Sequence, residues 1–407
     1  MELNKLILQA EQDLKETFSY IENIALYNQN KVLEAFRKNQ IALRHFAPTT
    51  GYGYDDTGRD TLCRLFADVF CAESAIVSPL IANGTHAIST ALFGILRPGD
   101  TLYSVTGNPY DTLLDVVSGV GIGSLKEFGI KFDKTELKEN GEIDLEQVKD
   151  KVTKFKPAAV FIQRSRGYNW RKALSVLEIK NVVCAVKKIG DIPVIVDNCY
   201  GEFTDEIEPT NAGADIIVGS LIKNPGGGLA PTGGYIAGKK ELIEKIAFRL
   251  TAPGIGMEVG SYAYGYQYFY QGLFMAPHTV EQALKASALF SRVFSALNYD
   301  TLPQAGERQN DIITSIKFNT KEELIKFCQT VQTYSPIDSH VLPEPWDMPG
   351  YKHQVIMAAG AFVQGASIEM SADAPIKEPY IAYFQGALTY EHAKIVLDKI
   401  LNYLINN

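Results

Sequence analysis

The sequence predicts an α/β fold: a large domain on a mostly parallel sheet, followed by a smaller α+β domain at the C-terminal side. Three observations predict it. Short apolar runs alternate with segments of helical period from Ile76 to Ala237. Two neighbouring runs, Val194-Ile195-Val196-Asp197 and Asp215-Ile216-Ile217-Val218-Gly219, are apolar throughout before ending in acid or glycine, as in strands buried on both faces. After about residue 285 the texture changes to strand-like runs set between helices.

The elements follow in order. Leu3, Leu6, Ile7, Ala10, Leu14, Phe18, Ile21 and Ala25 recur at helical spacing, giving an N-terminal helical arm over 1–50 that clasps another domain or a partner subunit. Turn residues in Gly51-Tyr52-Gly53-Tyr54-Asp55-Asp56-Thr57-Gly58-Arg59 end it and begin a large domain, 51–285. A helix with Leu62, Leu65, Phe66, Val69 and Phe70 on one face comes next. Ile76-Val77-Ser78 reads as a strand, and Asn83-Gly84-Thr85-His86 opens a helix that stops at Pro98-Gly99. Further strands are expected at 101–105, 156–163, 194–197, 215–219 and 234–237, with a helix face at Ile179, Val182, Val183 and Val186. The small domain, 286–407, is expected to hold strands at 312–318 and 361–371 and helices at 321–331 and 390–404.

Bulk properties bound the function. The 407 residues are 46% hydrophobic and 21% charged, which suffices for a sizeable core. A net charge of −8 argues against nucleic acid or an anionic membrane as partner. No apolar stretch reaches the length of a membrane span, and no signal peptide is apparent. The five cysteines include no close C-x-x-C pair, so a reducing cytoplasm is expected and a zinc cluster is not. No G-x-G-x-x-G follows a strand, and Walker, HExxH and G-x-S-x-G motifs are missing.

The chemistry is carried by two strand ends. Asp197 closes one strand, and Lys223 follows the next within Ser220-Leu221-Ile222-Lys223-Asn224-Pro225-Gly226-Gly227-Gly228. In such sheets, ligands sit beyond the carboxyl ends of the strands. A lysine and an aspartate there fit pyridoxal 5'-phosphate (PLP): the lysine holds the aldehyde as a Schiff base, and the aspartate keeps the pyridine nitrogen protonated. A buried aspartate is otherwise costly. Gly84 and Thr85, at a helix N-terminus, offer amides to the phosphate, and the Ser220 hydroxyl is a second donor. His86 lies near the ring or on the helix surface. Cys199 reads as a small buried residue in a strand-end turn. Arg164 and Arg166, just after a strand end, are candidate anchors for a substrate carboxylate.

The chain resembles fold type I PLP enzymes of the Cys/Met-metabolism group, which includes cystathionine lyases and methionine γ-lyase. More closely, it resembles the methionine γ-lyase-like family labelled "aluminium resistance protein". The resemblance rests on Gly51-Tyr-Gly-Tyr-Asp-Asp-Thr-Gly-Arg59, Thr106-Gly-Asn-Pro-Tyr-Asp-Thr112, Gln163-Arg-Ser-Arg-Gly-Tyr168, the Asp197 and Lys223 blocks, Pro253-Gly-Ile-Gly-Met-Glu-Val-Gly260, and Gly360-Ala-Phe-Val-Gln-Gly365 through Gln385-Gly386. It implies that Tyr110 stacks on the coenzyme ring and that Tyr52, Tyr54 or Arg59 reaches the phosphate of a neighbouring subunit. The active unit would then be a homodimer or homotetramer with shared sites. Two departures stand out. Ile222 replaces a hydroxyl residue that the lyases carry before the lysine. Lys377 stands where their small domain has a carboxylate-binding arginine.

The expected activity is a PLP-dependent carbon–sulfur lyase that eliminates a thiol from a sulfur-containing amino acid, as cystathionine β-lyase or methionine γ-lyase does. Lys223, Asp197 and Tyr110 would be catalytic. The alternatives are transamination on the same lysine, or a PLP-binding stress-response protein without turnover. The residues leave open the natural substrate and the choice of β or γ carbon.

Overall fold

A computed structural model describes residues 4–348 and 351–406 of the chain. Seven strands build the larger sheet: β1 (Ser74–Ser78), β2 (Thr101–Ser104), β3 (Lys131–Lys134), β4 (Ala159–Gln163), β5 (Val194–Asp197), β6 (Ile216–Ser220) and β7 (Gly234–Gly238). Their order is β1-β7-β6-β5-β4-β2-β3. The run from β6 to β3 is parallel, while β7 lies antiparallel between β1 and β6. β4, β5 and β6 are buried along their whole length, because helices cover both faces. One covering layer includes Gly84–Ile95 and Lys240–Leu250, and the other includes Thr57–Val69 and Val176–Ile189.

The second sheet has five antiparallel strands: β8 (Asp300–Leu302), β9 (Ile313–Phe318), β10 (Val355–Ala358), β11 (Ser371–Pro375) and β12 (Tyr380–Gln385), in the order β10-β11-β12-β9-β8. One face carries Ile316, Phe318, Ile356, Ala372, Ala374, Ala382 and Phe384 into a core shared with Lys321–Thr333 and Tyr390–Asn406. A single helix, Gln267–Ala296, joins the two parts. Its residues up to Leu284 belong to the larger core, and those from Ala286 onward to the smaller one. The change of texture near residue 285 therefore falls inside a continuous helix.

The N-terminal arm clasps both parts of its own chain. Ile7, Ala10 and Leu14 enter the smaller core, while Ile21, Val32 and Ala35 of Lys15–Lys38 enter the larger. Asn28 donates from Nδ2 to the carbonyls of Phe203 and Asp205.

Two expectations need correction. The strand expected at 361–371 is a series of turns, and extended pairing starts only at Ser371. Gly365 adopts φ +81°, and the amides of Phe362 and Val363 donate to the Glu369 carboxylate instead of a neighbouring strand. β3, β8, β10 and β12 were not foreseen. β3 is a short, partly exposed Lys-Phe-Asp-Lys edge without an apolar run.

Candidate active site

The carboxyl ends of β4, β5 and β6 open onto a cavity of about 660 Å³ between the two sheets. Its lining includes Gly84, Thr85, Tyr110, Asp197, Ser220 and Lys223, all expected from sequence. β5 and β6 are direct neighbours, with Asp197 paired to Val218, so aspartate and lysine leave adjacent strand ends.

Lys223 is held by the turn that follows it. Asn224–Gly226 forms one turn of 3-10 helix, and Gly227 takes φ +54°. A Cβ on Gly226 would sit 1.8 Å from the Leu221 carbonyl oxygen, and one on Gly227 2.4 Å from that of Gly272. Only glycine lets this turn press against the long helix. The Lys223 Nζ lies 3.9 Å from the centre of the Tyr200 ring. Burial opposes its charge, but the groups packed around it, the Asp197 carboxyl among them, outweigh that and hold its pKa well above the usual lysine value.

Asp197 is buried, and the amide of Cys199 donates to its Oδ1 at 3.1 Å. Burial raises its pKa, while Lys223 and the Cys199 amide pull the other way. Burial also pushes the Cys199 thiol well up, which suits the packing role and not a thiolate nucleophile.

Tyr110 begins the helix Asp111–Ser118. Its amide donates to Gln163 Oε1 at 2.9 Å, and its hydroxyl lies 2.9 Å from Thr85 Oγ1. Burial, reinforced by Asp197, raises its pKa far above that of a free phenol, so the hydroxyl keeps its proton. Arg171 fixes this corner by donating to the carbonyls of Gln163 and Ser165.

The residues fit a phosphorylated pyridine. The Ser220 hydroxyl is buried without a hydrogen-bond partner among the described residues. It faces Gly84, whose added Cβ would stand 3.2 Å from Cys199 Sγ and 3.6 Å from Ser220 Cβ. The Asn83 side chain caps the helix Gly84–Ile95 by accepting from the His86 amide at 2.8 Å. The Gly84 and Thr85 amides are thus left at its N-terminus. His86 is not among the residues lining the cavity; its Nδ1 accepts from the Ala82 amide at 3.0 Å.

Of the other expected residues, Lys377 lines the cavity, and Arg164, Arg166, Arg59 and Tyr54 lie outside it. Arg164 and Arg166 are fully buried outside the cavity. Arg164 donates to the Leu174 and Gly201 carbonyls, Asn198 Oδ1 and Thr204 Oγ1. Arg166 pairs with Asp311 at 2.8 Å and also donates to the Leu302 carbonyl and Ser315. Both guanidiniums are committed to holding the fold, so neither is free to grip a substrate. Lys377 is exposed, lines the cavity and forms no ion pair among the described residues. Arg59 donates to Asp60 and to the Gly53 and Gly260 carbonyls, outside the cavity. Tyr54 is 63% exposed and stacks on Tyr52.

The sequence reading missed the cavity's far wall. Ile313, Met357, Ser371, Asp373, Tyr383 and Gln385 of the small sheet face it, with Tyr168, Tyr200 and Tyr351 from loops. The signal was present as alternation: Ser371-Ala-Asp373-Ala and Tyr383-Phe-Gln385 put polar groups on one face.

A family model for methionine gamma-lyase matches residues 3–405. The chain belongs to the methionine gamma-lyase family. It is 49% identical, over 96% of its length and 94% of the relative's, to the uncharacterized protein YnbB of Bacillus subtilis (strain 168). A carbon-sulfur lyase involved in aluminum resistance from Clostridium novyi NT has a crystal structure similar to it. The TM-score is 0.95 at 52% identity, covering 99% of this chain and 96% of that one. In fold alone, at 14% identity and TM-score 0.65, it resembles the pyridoxal-5'-phosphate dependent protein YhfS of Escherichia coli, covering 95% of this chain and 97% of that one. The family thus shares the fold type I architecture of PLP enzymes, and the chain is an enzyme of lyase type.

Proposed function

We propose that the chain is a PLP-dependent carbon–sulfur lyase acting on a sulfur-containing amino acid. The observation that carries this is the juxtaposition of buried Asp197 and Lys223 on adjacent strand ends, beside a buried Ser220 hydroxyl with no partner among the described residues. Asp197 would hold the ring nitrogen. Ser220 and the amides of Gly84 and Thr85 would hold the phosphate, and Tyr110 would lie against the ring. Bound there, the coenzyme supplies a covalent carbonyl and a sink for the electron pair left at Cα.

The protein's own groups do the rest. Lys223 is the covalent anchor, and once its amine is released it takes the substrate α-proton. Tyr110, with Thr85 at its hydroxyl, gives a proton to the departing sulfur. The C–S bond breaks, a thiol leaves from the β or γ carbon, and hydrolysis yields a 2-oxo acid and ammonia. Lys377 is the basic side chain of the small domain that lines the cavity, and it takes the role of carboxylate anchor. The exposed pair Tyr52 and Tyr54 would meet a second subunit and complete its phosphate site, making the active form a dimer or tetramer. Arg59 supports that loop from beneath. The unpaired cysteines suit a reducing cytoplasm.

The test is visible absorption plus product analysis. Purified protein with PLP should show an imine band that Lys223→Ala lacks. A panel of sulfur amino acids should release thiol together with pyruvate or 2-oxobutyrate. Pyridoxamine phosphate formation without thiol would overturn the lyase reading in favour of transamination.

A further inference from the structure

The small-domain wall of the cavity carries a carboxylate that the elimination chemistry leaves unused. Asp373 sits in β11 directly opposite Met357 of β10 and Tyr383 of β12, so the three side chains share one face. That face lines the cavity, while Ala372 and Ala374 point into the core. The Asp373 Oδ2 accepts from Gln385 Nε2 at 2.9 Å. No ion pair reaches it among the described residues. The carboxylate is half-buried on this wall and keeps acceptor capacity for a cation entering the cavity.

The surroundings suit a cation. Tyr168 packs 5.7 Å from Tyr351 and 5.2 Å from Tyr383, ring centre to ring centre. All three line the cavity. Aromatic faces attract ammonium groups, and a carboxylate at the same place adds a hydrogen-bond acceptor. A substrate α-carboxylate would be repelled there, and Lys377 offers it a separate anchor.

We propose that Asp373, with the rings of Tyr168, Tyr351 and Tyr383, forms a subsite for a positively charged group on the sulfur side of the substrate. This rests on the reading of the cavity as a sulfur-amino-acid site. It narrows the substrate class to thioethers whose leaving thiol carries an ammonium.

The charge state supports it. Burial pushes Asp373 up to about 7, against the opposing pull of Gln385 and Lys223. The titratable groups near it are Tyr168, Tyr351 and Tyr383, Lys223 on the large-sheet side, Lys377 just past the end of its own strand, and Cys328 behind the sheet. The phenols and the thiol are raised, so they stay neutral near pH 7. A cation entering the subsite favours the ionised carboxylate, so binding near pH 7 expels a proton.

The test uses two pairs of compounds on the PLP-loaded enzyme. L-Lysine and L-norleucine differ by ammonium against methyl and have no C–S bond to break. Calorimetry should show L-lysine binding about tenfold tighter or more, as a charge-assisted hydrogen bond allows. Repeating it at pH 7 in buffers of different ionisation heat should show proton release. Asp373→Asn should erase the preference and the proton release, while Asp373→Glu should keep part of both. Equal affinities in the wild type, or a preference that survives Asp373→Asn, would overturn the proposal. S-(2-Aminoethyl)-L-cysteine and S-propyl-L-cysteine form the second pair. Thiol release from both, without discrimination, sinks the subsite and leaves the lyase reading intact. A lysine preference without any thiol release does the reverse.

Discussion

The Lys223 ammonium rests 3.9 Å from the centre of the Tyr200 ring, and the Tyr200 hydroxyl lies 3.2 Å from Ser367 Oγ of the small domain. Tyr200 adopts φ +71°, a left-handed conformation that a non-glycine residue takes only when its surroundings impose it. The residue thus couples the reactive amine to the opposite wall.

This neighbourhood sets how the amine captures its coenzyme. Despite burial, the groups packed around Lys223, the Asp197 carboxyl among them, keep its pKa well above the ordinary value. Only the neutral amine attacks an aldehyde. The rate of imine formation by coenzyme-free protein should therefore climb steadily between about pH 6 and pH 9, close to tenfold per unit. Stopped-flow absorbance after adding PLP reads it directly. A plateau near neutrality would mean that the amine is already free of its proton.

Ser220→Ala separates coenzyme binding from folding. The hydroxyl has no hydrogen-bond partner among the described residues, so its loss should leave the thermal midpoint of the coenzyme-free form nearly unchanged. The dissociation constant for PLP should rise about tenfold, the value of one hydrogen bond to a charged group. Equal affinity in the variant would place the phosphate elsewhere.

Arg166→Met tests the joint between the sheets. It strands Asp311 in the interior without its partner, at a cost of roughly 3–5 kcal/mol. Urea denaturation should show the midpoint fall, and replacing Asp311 as well, by Leu, should recover much of the loss. If Arg166 served the substrate instead, the variant would lose turnover at unchanged stability.

Glu202 gives the fold a pH dependence of its own. Burial first, then Glu208, raises its pKa from 4.5 to about 8. Between those values the unfolded chain releases the proton and the folded chain keeps it. Stability therefore declines as pH rises through this window, by about 1.4 kcal/mol per unit at most. Below 4.5 both states are protonated, and the contribution is fully present. Glu202→Gln should flatten the slope in denaturation curves taken at pH 5, 6.5 and 8. An unaltered slope would show that the carboxyl is ionised in the native state.

That Asp197, Ser220 and Lys223 meet at one cavity was legible because strand ends, a serine spacing and a run of glycines are all local in the chain. So were the buried strands, whose apolar runs mark them without reference to neighbours. Arg164 and Arg166 misled because a guanidinium after a strand end looks the same whether it faces a cavity or Asp311. Asp373 and its tyrosines were missed because their elements lie on separate loops and strands, from Tyr168 to Tyr383.

By itself the sequence determined the sheet and the placement of Asp197 and Lys223 at its strand ends, since those depend on hydrophobic period and short spacing. Only the tertiary structure decided which charges are spent on internal pairs and which remain for a ligand. That choice depends on partners more than a hundred residues apart, as Arg166 and Asp311 show, and burial sets its energy.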